Sequence, residues 1–271
     1  MDVKNKVTAE GIRLAYREKP GSSGDVVLFI HGLGDAGSSF APLFETAPLD
    51  GLTLAALDMP GCGESGRPSD FSYSMEDQAE LVCRWIEQSG YERIILAGHS
   101  MGGIIGLFAA ERLPMERIAG FINIEGNLGP EDCFFSGLIA SWTEETFEKE
   151  GFFSVLEKLK GGTPHDPEEV MQKYTAKFAE ALPRAVYRSS VSLVHESAHG
   201  NLKGRFSALA CPKAFISGER SLTPSLAGWL EKNHILHFSV PQSGHFMMIE
   251  QPENFCEVFR KILEETENAR G

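Results

Sequence analysis

The sequence predicts an α/β protein with a mostly parallel central sheet, helices on both faces and a helical block inserted late in the sheet. Three observations carry that expectation. Short apolar runs alternate with segments of helical period over residues 1–126; the alternation stops over 127–205; it resumes over 206–271. Strands alternating with helices pair in parallel and are covered on both faces, so they read as continuous apolar runs. A chain of 271 residues is long enough for one large domain carrying such an insertion.

Taken in order, Asp25 to Ile30 is the first buried-strand run, and it ends in His31-Gly32-Leu33-Gly34. Leu52 to Leu57 is the second, ending in Asp58-Met59-Pro60-Gly61-Cys62-Gly63-Glu64-Ser65. Over 76–89, Ala79, Val82, Trp85 and Ile86 fall at helical spacing, with Glu76, Asp77 and Glu80 acidifying the first turn. A strand over Arg93 to Ala97, a helix from Ile104 to Glu111 and a strand over Ile118 to Ile124 follow. From about Asn127 to Arg205 only helical segments are expected, among them 144–160 and 168–181, interrupted at Gly161-Gly162-Thr163-Pro164 and Leu182-Pro183. The alternation resumes with a strand over Pro212 to Ser217, a helix over 224–233 and a strand over Ile235 to Val240. A helix over 252–266 closes the chain, with Phe255, Val258, Phe259, Ile262 and Leu263 on one face. A helical block between two strands of a regular sheet reads as a lid over the strand C-termini, where open α/β sheets bind ligands.

Composition narrows the function classes. A net charge of −13 argues against nucleic acid, which needs clustered Lys and Arg. No apolar run approaches the roughly 20 residues of a membrane span. The stretch Met1 to Thr8 lacks the basic-then-apolar pattern of a secretory signal. Five cysteines, with no C-x-x-C pair, favour free thiols in a reducing compartment and hence a cytoplasmic protein. No His/Cys/Asp cluster has metal-ligand spacing, so no metal and no cofactor are expected. Oligomeric state is left open by the sequence.

The chemistry is concentrated in Gly98-His99-Ser100-Met101-Gly102-Gly103, between a strand and a helix. A serine flanked by glycines at that junction is the nucleophile-elbow pattern G-x-S-x-G. The turn is so sharp that side chains at 98 and 102 would collide with neighbouring backbone, and the serine itself is strained. In return its hydroxyl is lifted clear of the sheet, with a helix N-terminus aimed at it.

With this elbow, His31-Gly32-Leu33-Gly34, the 58–65 segment and Ser243-Gly244-His245-Phe246 stand in an order that resembles the α/β-hydrolase fold superfamily. The likeness runs over essentially the whole chain, to the serine esterase and lipase-like branch with a helical lid. The resemblance implies an α/β-hydrolase fold, an oxyanion loop at 31–34, a D-x-P-G-x-G-x-S segment whose Asp58 is structural, and a late histidine motif. Ser100 is then the nucleophile and His245, in a loop after the last strand, the base. The oxyanion donors are the backbone N–H groups of Leu33 and Met101. Of the other histidines, His31 and His99 are expected to be packed or hydrogen-bonded, His165, His195 and His199 to lie in the lid, and His234 and His237 beside or on a strand.

The chain departs from the commonest pattern at the acid. The family segment G-x-x-D-x-x-x-P reads Gly218-Glu219-Arg220-Ser221-Leu222-Thr223-Pro224, with serine at the aspartate position. A serine cannot carry the charge that stabilises an imidazolium. Glu125, at the end of the strand after the nucleophile's helix, is the natural substitute, because some branches such as certain lipases and haloalkane dehalogenases place their acid there. Glu219 is the fallback, Asp132 a more distant one, and the alternatives stay open.

The expected function is cleavage of a carboxylic ester through a Ser100–His245–Glu125 triad and an acyl-enzyme. The alternatives are a C–C bond hydrolase or thioesterase on the same triad, or a non-catalytic ligand-binding member of the fold. The expected partner is a small, apolar ester. Phe134, Phe135, Trp142, Phe147, Phe152 and Phe153 in the 127–205 block could line its pocket or simply pack the block onto the core.

Overall fold

The computed structural model describes residues 3–7, 11–45 and 51–268. Met1, Asp2 and Thr8, on which part of the N-terminal reading rests, lie outside them. Among the described residues eight strands form one sheet: β1 (Val3–Val7), β2 (Arg13–Lys19), β3 (Asp25–Ile30), β4 (Thr53–Leu57), β5 (Arg93–His99), β6 (Ile118–Ile124), β7 (Lys213–Gly218) and β8 (Leu236–Val240), in the order β1-β2-β4-β3-β5-β6-β7-β8. β2 runs antiparallel to β1 and β4, and all other neighbours are parallel. The fold is the expected α/β-hydrolase fold. The antiparallel β1–β2 edge was not anticipated, and β2 shows why: only Leu14 and Ala15 are buried, while Tyr16 to Lys19 are half-exposed. A strand of that kind has no apolar run to read.

The central strands are apolar on both faces for a visible reason. Val26, Leu28 and Ile30 of β3 enter one hydrophobic core, Val27 and Phe29 the other. The first core is covered by α2 (Met75–Ser89) and α3 (Met101–Arg112), the second by α12 (Pro252–Asn268), whose Phe259 packs 5.3 Å from Phe29. Helix α2 opens on an Ser74 N-cap that accepts the Asp77 N–H and stops at Gly90 in the left-handed conformation. The short α1 (Ala41–Glu45), α10 (Pro224–Lys232) and α11 (Met247–Glu250) complete the layers.

Between β6 and β7 lie α4 (Phe134–Ala140), α5 (Glu144–Thr146), α6 (Phe152–Lys160), α7 (Glu168–Phe178), α8 (Pro183–His199) and α9 (Leu202–Ala208). Two details differ from the sequence reading. The stretch 144–160 is not one regular helix, because a π turn at Phe147–Gly151 separates α5 from α6. Pro183 does not merely interrupt; it is the first residue of α8, where a missing N–H costs nothing. The insertion is tied to the core through α8: Ser192 Oγ accepts the Met75 N–H at 2.9 Å, and Gln78 donates to Ser189 Oγ at 3.1 Å. No helix among the described residues is long and apolar enough to cross a membrane.

At the elbow the packing is backbone against backbone. A Cβ on Gly102 would stand 2.2 Å from the Ile30 carbonyl oxygen, and one on Gly98 2.2 Å from that of Gly102. Gly102→Ala should therefore destabilise the protein by about 2–3 kcal/mol, the cost of forcing atoms into a filled site. A urea-unfolding midpoint indistinguishable from that of the unmodified protein would contradict this packing argument.

Candidate active site

Ser100 sits between β5 and α3 with φ 53° and ψ −120°, a conformation that strains any residue with a side chain. It is pinned there from two sides: its N–H donates to Ile124 O at 3.0 Å, and its carbonyl accepts the Gly103 N–H at 2.8 Å. The half-buried side chain faces a cavity of 370 Å³, which His245 also lines.

His245 follows β8 in a loop, and its Nδ1 lies 2.8 Å from Glu125 Oε2. A carboxylate at Nδ1 fixes the tautomer, leaving Nε2 as the free base. Glu125 leaves the end of β6 with φ 45°, and its N–H donates to Ile216 O at 2.9 Å. Its other oxygen accepts the Gly218 N–H at 2.6 Å and a short hydrogen bond from Ser221. Burial alone would raise the Glu125 pKa, but the His245 hydrogen bond and charge, helped by Ser221 and Gly218, hold it below the usual value of 4.5. Burial likewise works against a charged His245, yet Glu125 outweighs it and holds that pKa above 6.5. Burial, reinforced by the neighbouring His245, pushes His99 down to about 3, so its ring is neutral. His99 Nε2 then donates to the His245 carbonyl oxygen at 3.0 Å, tying the His245 loop to the elbow.

The two backbone donors are placed by different means. Met101 is the first residue of α3, and N–H groups of a first helical turn have no intrahelical partner. Leu33 follows β3 in a loop so close to the elbow that a Cβ on Gly32 would stand 3.2 Å from Ser100 Cβ. Buried His31 accepts the Met59 N–H at Nε2 (2.9 Å), so Nδ1 carries the proton and donates to Gly32 O at 2.7 Å. The Asp35 N–H donates to the same oxygen at 3.2 Å. Because the peptide is planar and trans, fixing Gly32 C=O aims the Leu33 N–H the opposite way.

The structure thus brings Ser100 and His245 to one cavity and Glu125 to His245. It does not bring Glu219, whose carboxylate accepts the Gln242 N–H at 2.8 Å. Asp132 lines the cavity but accepts the Leu128 and Gly129 N–H groups, and burial raises its pKa. Asp58 is fully buried and accepts the Gly37 N–H (2.7 Å), the Glu64 N–H (3.0 Å) and the Arg17 guanidinium (3.3 Å). Of the six aromatic residues named from the sequence, Phe134 and Phe135 line the cavity. Phe147 and Phe152 pack edge to face inside the insertion, Trp142 is partly buried against the core and Phe153 is exposed.

The sequence reading missed Ser221 as a partner of Glu125, and Tyr174 and Asp166 as cavity residues. For Ser221 the signal was its place in the motif itself. Tyr174 falls at helical spacing with Val170, Met171 and Phe178 and looks like ordinary core. Among the described residues no group of three or more His, Cys, Asp or Glu side chains could hold a metal ion.

A helix-covered parallel sheet with a strained serine at a strand–helix turn and a carboxylate-bound histidine beside it defines the class. The chain belongs to the alpha/beta hydrolase fold family, whose model matches residues 25–237. It is 40% identical over 95 residues to the dihydrolipoyllysine-residue acetyltransferase component of the acetoin cleaving system of Cupriavidus necator, covering 35% of this chain and 24% of that protein. It is 29% identical over 117 residues to Lipase 1 of Psychrobacter immobilis, covering 43% of this chain and 36% of the lipase. The chain therefore spans well under half the length of these curated relatives. A thermophilic esterase from Thermogutta terrifontis shares the fold with a TM-score of 0.80 at 22% identity, over 98% of this chain and 99% of that one.

The geometry makes Glu125 and Glu219 separable. Glu125→Gln should lower kcat for an activated ester by orders of magnitude, as the analogous change does in a serine protease (about 10⁴-fold), while Glu219→Gln should stay close to wild type. The pH profile adds a sign. A base must be neutral, so kcat/KM should fall as pH drops through the His245 pKa, which Glu125 holds above 6.5. In Glu125→Gln the ring loses its main charged partner, leaving burial opposed only by the weaker pull of Asp166 and Asp132, and the residual activity should have its acid limb at lower pH. A severe Glu219→Gln defect beside a normal Glu125→Gln enzyme would sink the assignment.

Proposed function

We propose that the protein is a serine hydrolase that cleaves small carboxylic esters through an acyl-enzyme. The observation that carries this reading is the His245 Nδ1–Glu125 hydrogen bond of 2.8 Å at the wall of the cavity that Ser100 shares. Ser100 Oγ attacks the ester carbonyl while His245 Nε2 takes its proton. The Leu33 and Met101 N–H groups receive the developing oxyanion, and Glu125 stabilises the imidazolium. His245 returns the proton to the departing alcohol. Water then enters, gives its proton to His245 and attacks the acyl carbonyl; collapse of the second tetrahedral species releases the acid and restores Ser100. Every role falls to a group of this chain, so the reading needs no metal or organic cofactor.

The 127–205 insertion is the lid of this site, and residues 1–126 with 206–271 are the core that bears the triad. The insertion's contribution to the cavity wall includes Phe134, Phe135, Tyr174 and Leu193. Phe134 is 68% exposed and packs edge to face on Phe135, which gives the mouth an apolar side. Asp132 and Asp166 also line the cavity, as does Glu131, which Lys203 pairs with at 2.7 Å, and there is no Lys or Arg among its described lining residues. Negative charge at the site repels anionic acyl or alcohol groups, so the substrate class is an uncharged, largely apolar ester. The same acidity disfavours thioesters of phosphate-bearing carriers. A C–C bond hydrolase would use the same triad and is separated from the ester reading only by turnover. The five free cysteines suit a reducing, cytoplasmic setting.

Ser100→Ala should abolish turnover of p-nitrophenyl esters, with a loss of roughly 10⁶ by analogy with serine protease nucleophiles. A fluorophosphonate probe should label the wild type and leave Ser100→Ala unlabelled. Substantial turnover by purified Ser100→Ala, or an unlabelled and inactive wild type, would refute the serine-hydrolase reading.

Substrate charge supplies a separate check. A neutral butyryl ester should be hydrolysed with kcat/KM at least about tenfold above its succinyl half-ester counterpart, the preference falling as salt screens the carboxylates. Equal rates for the two at low ionic strength would remove the electrostatic argument.

A further inference from the structure

Three side chains on one face of α7 grip three consecutive residues of the loop that carries the Leu33 amide. Tyr174 Oη donates to Leu33 O at 2.7 Å. The Phe178 ring covers Gly34 so closely that a Cβ there, where φ is +65°, would stand 2.4 Å from it. Lys177 reaches buried Asp35 at 3.4 Å and makes a hydrogen bond to Ser39. Positions 174, 177 and 178 are i, i+3 and i+4, so a single helix face makes all three contacts.

These contacts complete an anchoring that the core leaves half done. The peptide on the N-terminal side of Leu33 is held by core groups, since His31 and the Asp35 N–H both donate to Gly32 O. The peptide on its C-terminal side is held by the Tyr174 hydroxyl, which belongs to the insertion. The Gly32 carbonyl aims the Leu33 N–H. With the following plane held as well, φ and ψ of Leu33 are set, and the N–H plane cannot tilt without breaking one of the two anchors. Tyr174 is 3% exposed, and its ring lies 4.4 Å from that of Phe246, the residue after His245.

We infer that Tyr174 is a positioning residue for the oxyanion donor: through Leu33 O it makes the lid helix α7 a structural part of the oxyanion hole. The inference rests on the serine-hydrolase reading above and deepens it. A lid that moves away at α7 also releases the Leu33 peptide, so transition-state stabilisation is complete only when the lid is seated.

The experiment is Tyr174→Phe, which keeps the ring and its packing and removes only the hydroxyl. Loosening one oxyanion donor should lower kcat for a p-nitrophenyl ester by about 10- to 100-fold, somewhat less than outright removal, with KM little changed. Affinity for an alkyl boronic acid, which forms a tetrahedral adduct with the serine, should drop by a similar factor. Affinity for the product carboxylic acid and the acid limb of the pH profile should stay put, which a general loosening of the fold would not produce. A Tyr174→Phe enzyme with wild-type kcat and wild-type boronate affinity overturns the inference. If that variant fails to fold, Lys177→Gln loosens the hold of α7 on the same loop at Asp35 and Ser39: the same selective loss of kcat supports the inference, an unchanged kcat overturns it. The two readings fail differently. An inactive, unlabelled wild type brings down the hydrolase reading and this inference together, whereas an active, Ser100-labelled wild type with an unaffected Tyr174→Phe form overturns this inference alone.

Discussion

One buried carboxylate ties the C-terminal edge of the sheet together. Glu125 ends β6, receives the main chain of β7 at Gly218, a hydroxyl from Ser221 and the imidazole of His245 from the loop after β8. Its side chain is only 10% exposed. An isolated carboxylate so placed costs several kcal/mol in lost hydration, so the site is stable only while donors converge on it. That requirement fixes the geometry. Two oxygens with three donors leave little freedom, and each donor arrives from a different element. His99 extends the same arrangement, because its neutral ring holds the His245 carbonyl from the residue just before Ser100. His245 is therefore anchored at its ring by Glu125 and at its main chain by the elbow.

How much of this could be read beforehand depends on what each residue's pattern had to satisfy. β3 to β7 were legible because both faces are covered and every residue type is constrained. β1 and β2 were not, since an edge strand and the strand beside it need only a few apolar residues and their charges pair locally, as Lys4 does with Glu18 at 2.6 Å. The elbow was legible because a Cβ on either of its glycines would stand 2.2 Å from a backbone carbonyl oxygen, which no other residue tolerates. Ser221 reads as a gap in a motif, and only three-dimensional adjacency reveals that its hydroxyl belongs to Glu125. Tyr174 and Asp166 were invisible for a related reason: the first fits a helical core pattern and the second a polar loop, and neither pattern encodes which distant loop they meet. Asp166 accepts the Phe246 N–H at 3.1 Å, a contact spanning 80 residues of chain.

The insertion and the core are accordingly less independent than their separation in sequence implies. The segment 163–178 touches the 33–35 loop through α7 and the 244–246 loop through Asp166 and the His165 carbonyl, beside which Gly244 has no room for a Cβ. Contacts of both kinds are polar and buried, so they are made in full or leave orphaned groups. Such an interface favours two discrete arrangements over a continuum.

The position of the acid follows from the same physics. In the proposed mechanism the imidazole requires a carboxylate at one point in space, and β6 and β7 are parallel neighbours whose ends both approach that point. Either strand can supply it, but both together cannot do so cheaply. Two carboxylates around one imidazole repel, and one would have to take up a proton to relieve the charge. With Glu125 on β6 holding the negative charge, the position after β7 is best filled by a donor. A serine there gives the carboxylate a hydrogen bond where an aspartate would give it a rival. The residue that looks like a missing acid in the sequence is, in the folded protein, a donor that helps His245 keep the neighbouring strand's carboxylate ionised.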